Sequence, residues 1–355
     1  MTTPAGTGRA RIGVVGLGQG RHLARWATRA GLEVVAGCDL DRAQLDAAEE
    51  IPTRSNNWAD LLDLGLDGVV LADDFDTHAP LAIAFLERGV HVLSETAACT
   101  SEAEGTRLIA AADASQASYS FAENYICLPH VRLIRDLVGQ HEIGQVELIE
   151  ADYLHGLAPA AIGALLGPSD HWRNRISPTA YCTHTLSPIL AVSGADPVAV
   201  SAHAVVDMDR PRAVVMVVRL SSGALAVARH GFLQGEPDSH WSWLSVRGDR
   251  GLVENVRARG EDAWSVRIRV EPWASVGAKA RDEVVVPPPM ALAGEPVERA
   301  AEGTAAVLAA FRATVEDGAE PLVPVRAAVA ASLVGVAGAE SLRRGSSPVP
   351  VPSLG

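Results

Sequence analysis

The chain has 355 residues, more than one hydrophobic core comfortably holds, so two domains are expected. Its 48% hydrophobic and 21% charged residues exclude a disordered, collagen-like or coiled-coil chain. A net charge of −13 argues against nucleic acid or an anionic membrane surface as the main partner.

Residues 10–125 alternate short apolar runs with segments of helical period. ARIGVVGLG reads as a buried strand ending in glycines, and RHLARWATRAG as a helix closed by Gly31. LEVVAGCD is a second strand and DRAQLDAAEE a second helix. DGVVLA, HVLSE and SYSFAEN follow as strands, with APLAIAFLERG and SEAEGTRLIAAADAS as helices between them. This alternation implies right-handed crossovers and a doubly wound parallel sheet. After about residue 128 the pattern changes to longer strands joined by turns: VELIEADYLHG, DPVAVSAHAVVD, RAVVMVVRLSSGALAVARHGF, WSWLSVRGDRGLVENV and WSVRIRVEP. A large, mostly antiparallel open sheet is expected there. Its apolar surface needs a cover, and a partner subunit is the expected one, as a homo-oligomer. Two helices, in AAVLAAFRATVEDG and PLVPVRAAVAASLVGVAGAESLRRG, precede an extended Pro-rich tail. The fold class is α/β, with an N-terminal domain over residues 1–127 and a second α/β domain over 128–355.

No apolar run approaches the roughly 18–20 residues that span a bilayer. The first residues lack a charged start followed by a long apolar stretch, so no secretion signal is expected. Cys38, Cys99, Cys127 and Cys182 are scattered without C-x-x-C spacing, so neither disulfides nor structural zinc are expected, and a cytoplasmic setting is. Of the 30 basic residues, only Lys279 is a lysine.

The first strand delivers Gly16, Leu17, Gly18, Gln19, Gly20 and Arg21 into a helix. Glycines there permit a tight turn and close backbone approach to a pyrophosphate at the helix N-terminus. The third glycine of G-x-G-x-x-G would fall at Arg21, with Gly20 one place early. Asp39 ends the second strand, where a carboxylate accepts from ribose hydroxyls and repels a 2′-phosphate. NAD is therefore the expected cofactor, and Arg21 a candidate pyrophosphate contact.

The string DGVVLADDFDTHAPLAIAFLERGVHVLSET, after GLGQG and CDLDRAQL, resembles the Gfo/Idh/MocA oxidoreductases. Asp76-Thr77-His78, Gly89-Val90-His91-Val92 and Glu95 match that family's elements, and the resemblance runs over roughly residues 11–351. It implies a Rossmann domain plus an α/β domain with a large open sheet. With it go cofactor contacts from His78, Glu95 and Asn124. Two positions depart from the common form. Its E-K-P triplet is Glu95-Thr96-Ala97 here, so the usual lysine is absent, and Ala180 stands where an Asp precedes the catalytic His by four. Tyr181-Cys182-Thr183-His184, with SETAACT and FAENYIC, is similar to a branch that includes NAD-dependent glycoside hydrolases active on N-acetylgalactosaminides. That similarity implies catalysis by Tyr181 and His184, with Tyr153 and His155 at the site.

Hydride removal from C3 of a sugar makes a ketone that acidifies the C2 proton; a base takes that proton and expels the C1 substituent, and the hydride then returns. A Tyr–His pair can handle both protons, and the sequence leaves open which residue does which. Trp172 can stack on a sugar face, and Arg173 can hydrogen-bond hydroxyls or acidic groups. Trp241 and Trp243 read as core or interface. Tyr153, His155, His171 and His184 lack metal-ligand spacing, so no metal is expected. Two alternatives stay open: a plain NAD(P)-dependent sugar or cyclitol dehydrogenase, and a non-catalytic NAD-binding sensor or scaffold.

Overall fold

The computed structural model describes residues 8–205, 212–233, 242–258, 260–273 and 280–354. Trp241 and Lys279 lie outside the described residues.

The first sheet comprises β1 (Arg11–Val15), β2 (Glu33–Cys38), β3 (Thr53–Ser55), β4 (Gly68–Leu71), β5 (His91–Ser94) and β6 (Tyr119–Phe121). All pairs are parallel, in the order β3-β2-β1-β4-β5-β6. Four crossover helices flank it: α1 (Leu17–Arg29), α2 (Arg42–Ala47), α3 (His78–Glu87) and α4 (Glu102–Ala114). Strand order reverses between β1 and β4, which opens a crevice beyond their carboxyl ends. α1 starts at Leu17 rather than at Arg21. Gly16 turns the chain at φ +84°, and the Asp39 carboxylate accepts from the Leu17 amide at 2.7 Å, so Gly18 to Gly20 become the first helical turn. α2 is shorter than its sequence suggests. Asp41 caps it through the Ala43 amide, and it ends at Ala48.

Beyond β6 come three helices that the strand-rich pattern after residue 128 does not contain: α5 (Pro129–Gly139), α6 (Pro159–Leu166) and α7 (Thr183–Ser193). Between α5 and α6 runs β7 (Val146–His155). β8 (Pro197–Ala204), β9 (Ala213–Leu220), β10 (Leu225–Phe232), β11 (Trp243–Gly248), β12 (Gly251–Asn255), β13 (Val266–Val270) and β14 (Arg281–Val285) join it in one sheet. The order is β14-β13-β12-β11-β7-β10-β9-β8, and every pair except β7–β10 is antiparallel. A small hairpin of β15 (Ala291–Leu292) and β16 (Glu295–Pro296) precedes α8 (Glu302–Asp317) and α9 (Val325–Arg343). The tail adds β17 (Val349–Pro350) to the β8 edge, consistent with its expected extension.

Alternation along the second sheet sends Ile149, Ala151, Val200, Ala202, Met216, Val218, Ala226 and Ala228 into the core beneath α7 and α9. The opposite face carries Leu148, Glu150, Val215, Val217, Val227 and Arg229 and has no layer over it among the described residues. Trp243 lies on that face, buried, its ring 3.9 Å from the Arg257 guanidinium and 5.5 Å from that of Arg229. Both arginines pair with the buried Asp152. The last two helices return to the N-terminal half. Phe311 of α8 packs against Gly68 in β4, and Ser332 of α9 accepts from the Ala98 amide at 3.1 Å. Contrary to the expectation that no stretch is long and apolar enough to cross a membrane, α9 is, with a mean hydropathy of 1.4; 61% of that stretch is buried in the core.

Candidate active site

The dinucleotide cradle is built from the loop after β1. A Cβ on Gly16 would stand 2.5 Å from the Ala72 carbonyl, so the close approach of the β1 and β4 ends requires glycine there. Gly20 packs its α-carbon on Val14, where a Cβ would come within 2.6 Å of Cγ1. It therefore supplies the tight helix–strand contact usually made by the third glycine of the fingerprint, one residue early. A Cβ on Gly18 would meet nothing within 4 Å, so its face opens onto the crevice. The first-turn amides of Gly18 and Gln19 lie where helical N–H groups lack intrahelical partners. Asp39 borders this turn, its second oxygen accepting from the Asp41 amide at 2.8 Å, and the neighbouring Leu40 is 89% exposed. An open glycine face, free helix-start amides, a carboxylate and an apolar platform fit a dinucleotide.

Three expected cofactor contacts have partners within the protein. His78 is buried, with Nδ1 at 3.2 Å from the Ala97 carbonyl and Nε2 at 3.5 Å from Asp73. It ties the β4 and β5 loops together, because burial of its ring leaves no surface to offer a ligand. The Arg21 Nε lies 3.4 Å from Glu50, and the Asn124 amide donates to Thr304 on α8 at 3.2 Å. Glu95 stays at the crevice, half-buried just after β5.

The expected catalytic pair comes from one short stretch. Ser177 caps a 3₁₀ turn over Pro178–Cys182 that runs directly into α7, which puts Tyr181 and His184 near the helix start. His184 meets a partner that no local motif announces. The Glu123 carboxylate, fully buried in the loop after β6, lies 3.1 and 3.2 Å from Nδ1. The string FAENYIC points to Asn124 as a site residue, whereas the acid before it is the one that reaches the imidazole. With Nδ1–H donating to Glu123, Nε2 keeps its lone pair for the pocket. Burial pulls the His184 pKa down, but the charge and hydrogen bond of Glu123, helped by Glu95, outweigh it and hold His184 above its ordinary value.

Tyr181 accepts a 3.0 Å hydrogen bond from Nε of Arg173, which itself lies over the Trp172 ring at 4.2 Å. A nearby cation would by itself lower this phenol. Burial outweighs Arg173, and the Tyr181 pKa is raised, so the phenol stays neutral. Tyr153 lies 4.6 Å from both the His184 and the His155 rings, and 6.4 Å from the Tyr181 ring. Tyr125 stacks on His184 at 4.6 Å. Phe75, from the loop after β4, packs on Trp172 at 4.6 Å and Tyr181 at 5.0 Å. Arg175 binds Asp76 through two 3.0 Å bonds and reaches Asp74 at 3.0 Å, bridging the two sheets' loops outside this cluster. Thr96, in the position of the absent lysine, is buried with its hydroxyl 3.3 Å from that of Thr183. Among the described residues, no group of three His, Cys, Asp or Glu side chains is disposed to hold a metal ion.

Residues 10–123 match the family model described as the oxidoreductase family with an NAD-binding Rossmann fold. The matched part, which carries the first sheet and its crossover helices, is similar to the Gfo/Idh/MocA oxidoreductases. That match describes an NAD-binding Rossmann fold for this part of the chain. The chain is 23% identical over 269 residues to an alpha-N-acetylgalactosaminidase of Bacteroides fragilis, covering 70% of this chain and 61% of that protein. It is 29% identical over 202 residues to glycosyl hydrolase family 109 protein 2 of Phocaeicola vulgatus, covering 50% and 48%. The chain thus spans about three fifths of the first relative's length and about half of the second's. Among solved structures, levoglucosan dehydrogenase in complex with NADH and L-sorbose superposes with a TM-score of 0.80. That match covers 98% of this chain and 100% of the other at 17% identity, and it speaks for the fold alone.

Proposed function

We propose that this protein acts on a sugar or glycoside, oxidising a ring carbinol at C3 and cleaving or rearranging the neighbouring C–O bond before the sugar is reduced again. The observation that carries this reading is the Glu123–His184 pair beside the Arg173–Tyr181 pair in one aromatic pocket. It supplies proton handling where the family's lysine is absent. Bound NAD would supply a reversible hydride acceptor, and Gly16, Gly18, Gln19, Gly20 and Asp39 would hold it.

Each side chain has a task in this scheme. His184 takes the hydroxyl proton at Nε2, and the developing imidazolium is stabilised by Glu123. Tyr181, neutral and oriented by Arg173, donates its O–H to a substrate oxygen. Trp172 and Tyr153, backed by the buried Phe75 and Tyr125, offer ring faces suited to the C–H face of a sugar, and His155 borders them. The names of the relatives support glycoside cleavage as the net reaction. The second reading, a sugar dehydrogenase that releases NADH, uses the same Tyr181 and His184 geometry without the cleavage step. We also place the protein in the cytosol, where its four buried cysteines, none in a disulfide, stay reduced, and as a homo-oligomer through the open sheet face.

The test is a panel of neutral glycosides followed simultaneously for NADH absorbance and released alcohol. Alcohol release without NADH accumulation supports the redox-neutral reading; NADH rising in step with product supports the dehydrogenase. His184→Ala is expected to abolish turnover while NAD affinity, measured by fluorescence titration, stays within about twofold of wild type, and Glu123→Gln to lower turnover by about 10²-fold. Full turnover by His184→Ala would remove His184 from the reaction and defeat the proposal.

A further inference from the structure

His184 and Tyr181 account for the proton at the carbinol, yet expulsion of an alkoxide from C1 also needs an acid. Among the described residues around the pocket, Glu95, expected from the family resemblance as a cofactor contact, is a carboxyl to which the scheme above gives no proton. Glu95 follows β5, anchored by its amide to the Leu71 carbonyl at 2.8 Å, and its Oε2 accepts from the adjacent Thr96 amide at 3.3 Å. The Ser94 carbonyl accepts from the Ala122 amide at 2.8 Å, which sets the Glu123 loop beside it. On the other side the Thr96–Thr183 hydroxyl contact brings the start of α7 and His184 against it. The titratable groups that feel its charge are His184, Glu123, Tyr125 and Tyr153. The nearest arginines of the pocket are turned elsewhere, Arg173 to Tyr181 and Arg175 to Asp74 and Asp76.

We infer that Glu95 is the general acid of this site, protonating the departing glycosidic oxygen and later taking a proton from water; this rests on the glycoside reading above. Two carboxylates share this corner. Glu123 holds the imidazole, so the negative charge settles there. A lysine at position 96 would favour ionised Glu95, whereas the threonine present brings no charge, and His184 is hydrogen-bonded to Glu123. Burial foremost, with Glu123 adding and His184 opposing, pushes the Glu95 carboxyl up to about 7.

The step balances. On a sugar already carrying a C3 ketone, and once His184 has passed the carbinol proton to solvent, the neutral imidazole takes the C2 proton, and the C2–H electron pair becomes the C1=C2 bond. The C1–O bond breaks with its electrons, and the departing oxygen takes the Glu95 proton to leave as an alcohol. In the return, water adds its oxygen to C1 and gives a proton to the Glu95 carboxylate, while imidazolium reprotonates C2. Both residues end as they began.

Two measurements decide the matter. First, infrared difference titration of the full chain is expected to show an un-ionised carboxyl band that fades with a midpoint near 7 and is missing in Glu95→Gln. A Glu95→Gln spectrum that keeps the band overturns the proposal. Second, Glu95→Gln is expected to lose about 10²–10⁴-fold in kcat/KM on a methyl glycoside, whose leaving group needs a proton, and less than about tenfold on the nitrophenyl glycoside, whose leaving group does not. NAD affinity should stay at the wild-type value. Equal losses on both substrates, or weakened NAD binding, assign Glu95 to cofactor or sugar binding and overturn it. If wild type cleaves neither glycoside, the proposed function falls and the infrared arm alone decides whether Glu95 holds the proton.

Discussion

At the scale of single residues, the site is governed by where protons rest. Glu123, Glu95 and His184 form a connected set, with one carboxylate hydrogen-bonded to the imidazole and the other to the Thr96 amide. This has a consequence for stability. Folded Glu95 resists ionisation up to about pH 7 against an ordinary value of 4.5, so folding carries a growing cost as pH rises through that window. His184, held above 6.5 by Glu123, contributes stability that is complete below 6.5 and fades as pH rises through its higher folded value. Both effects have the same sign. The thermal midpoint of wild type is therefore expected to fall as pH rises from about 4.5 through neutrality, and that of Glu95→Gln to fall less. A midpoint that climbs over this range in wild type contradicts the assignment.

Elements position these residues by their ends. β1, β4 and β5 all deliver loops to the same carboxyl edge, and the 3₁₀ turn entering α7 meets them from the second half of the chain. The glycines of the first loop have separable duties. Gly18→Ala places a methyl in open space at ordinary φ, so thermal stability should stay near wild type while NAD affinity falls roughly tenfold, about 1.4 kcal/mol. Gly16→Ala meets a positive φ and the Ala72 carbonyl, and should lose on the order of 1–3 kcal/mol of stability in chemical denaturation. Equal behaviour of the two variants would show that the cradle had been misplaced. The G-L-G-Q-G spacing, irregular as a fingerprint, makes sense once α1 starts at Leu17, because Gly20 then faces Val14.

For the whole molecule, the decisive feature is a broad sheet covered on one face. Helices α7 and α9 close the inner face, and α8 fastens the C-terminal part to the first sheet through Phe311. The outer face presents Val215, Val217, Val227 and Leu148 beside the Asp152–Arg229–Arg257 network on Trp243. Burying such rows against a second copy would exclude water from apolar area that a monomer leaves wet. Light scattering of the purified chain is expected to give a mass of at least two subunits, and replacing Val217 with Glu to shift it downward. A single-chain mass for wild type would set this interface aside.

The Tyr181–His184 stretch was singled out by family resemblance, whereas local pattern was enough to determine the alternation of strands and helices through residue 125, the glycine turn with Asp39 and the antiparallel character of the second sheet. Those features depend on periodicity and on residue types close together in the chain, which sequence displays directly. It could not determine which polar groups face one another across distant loops. Glu123 and His184 lie 61 residues apart, and only packing of the β6 loop against α7 makes them partners. Likewise His78, Arg21 and Asn124 have Ala97, Glu50 and Thr304 as partners, because a buried or loop-bound polar side chain takes the partner that the fold brings within reach.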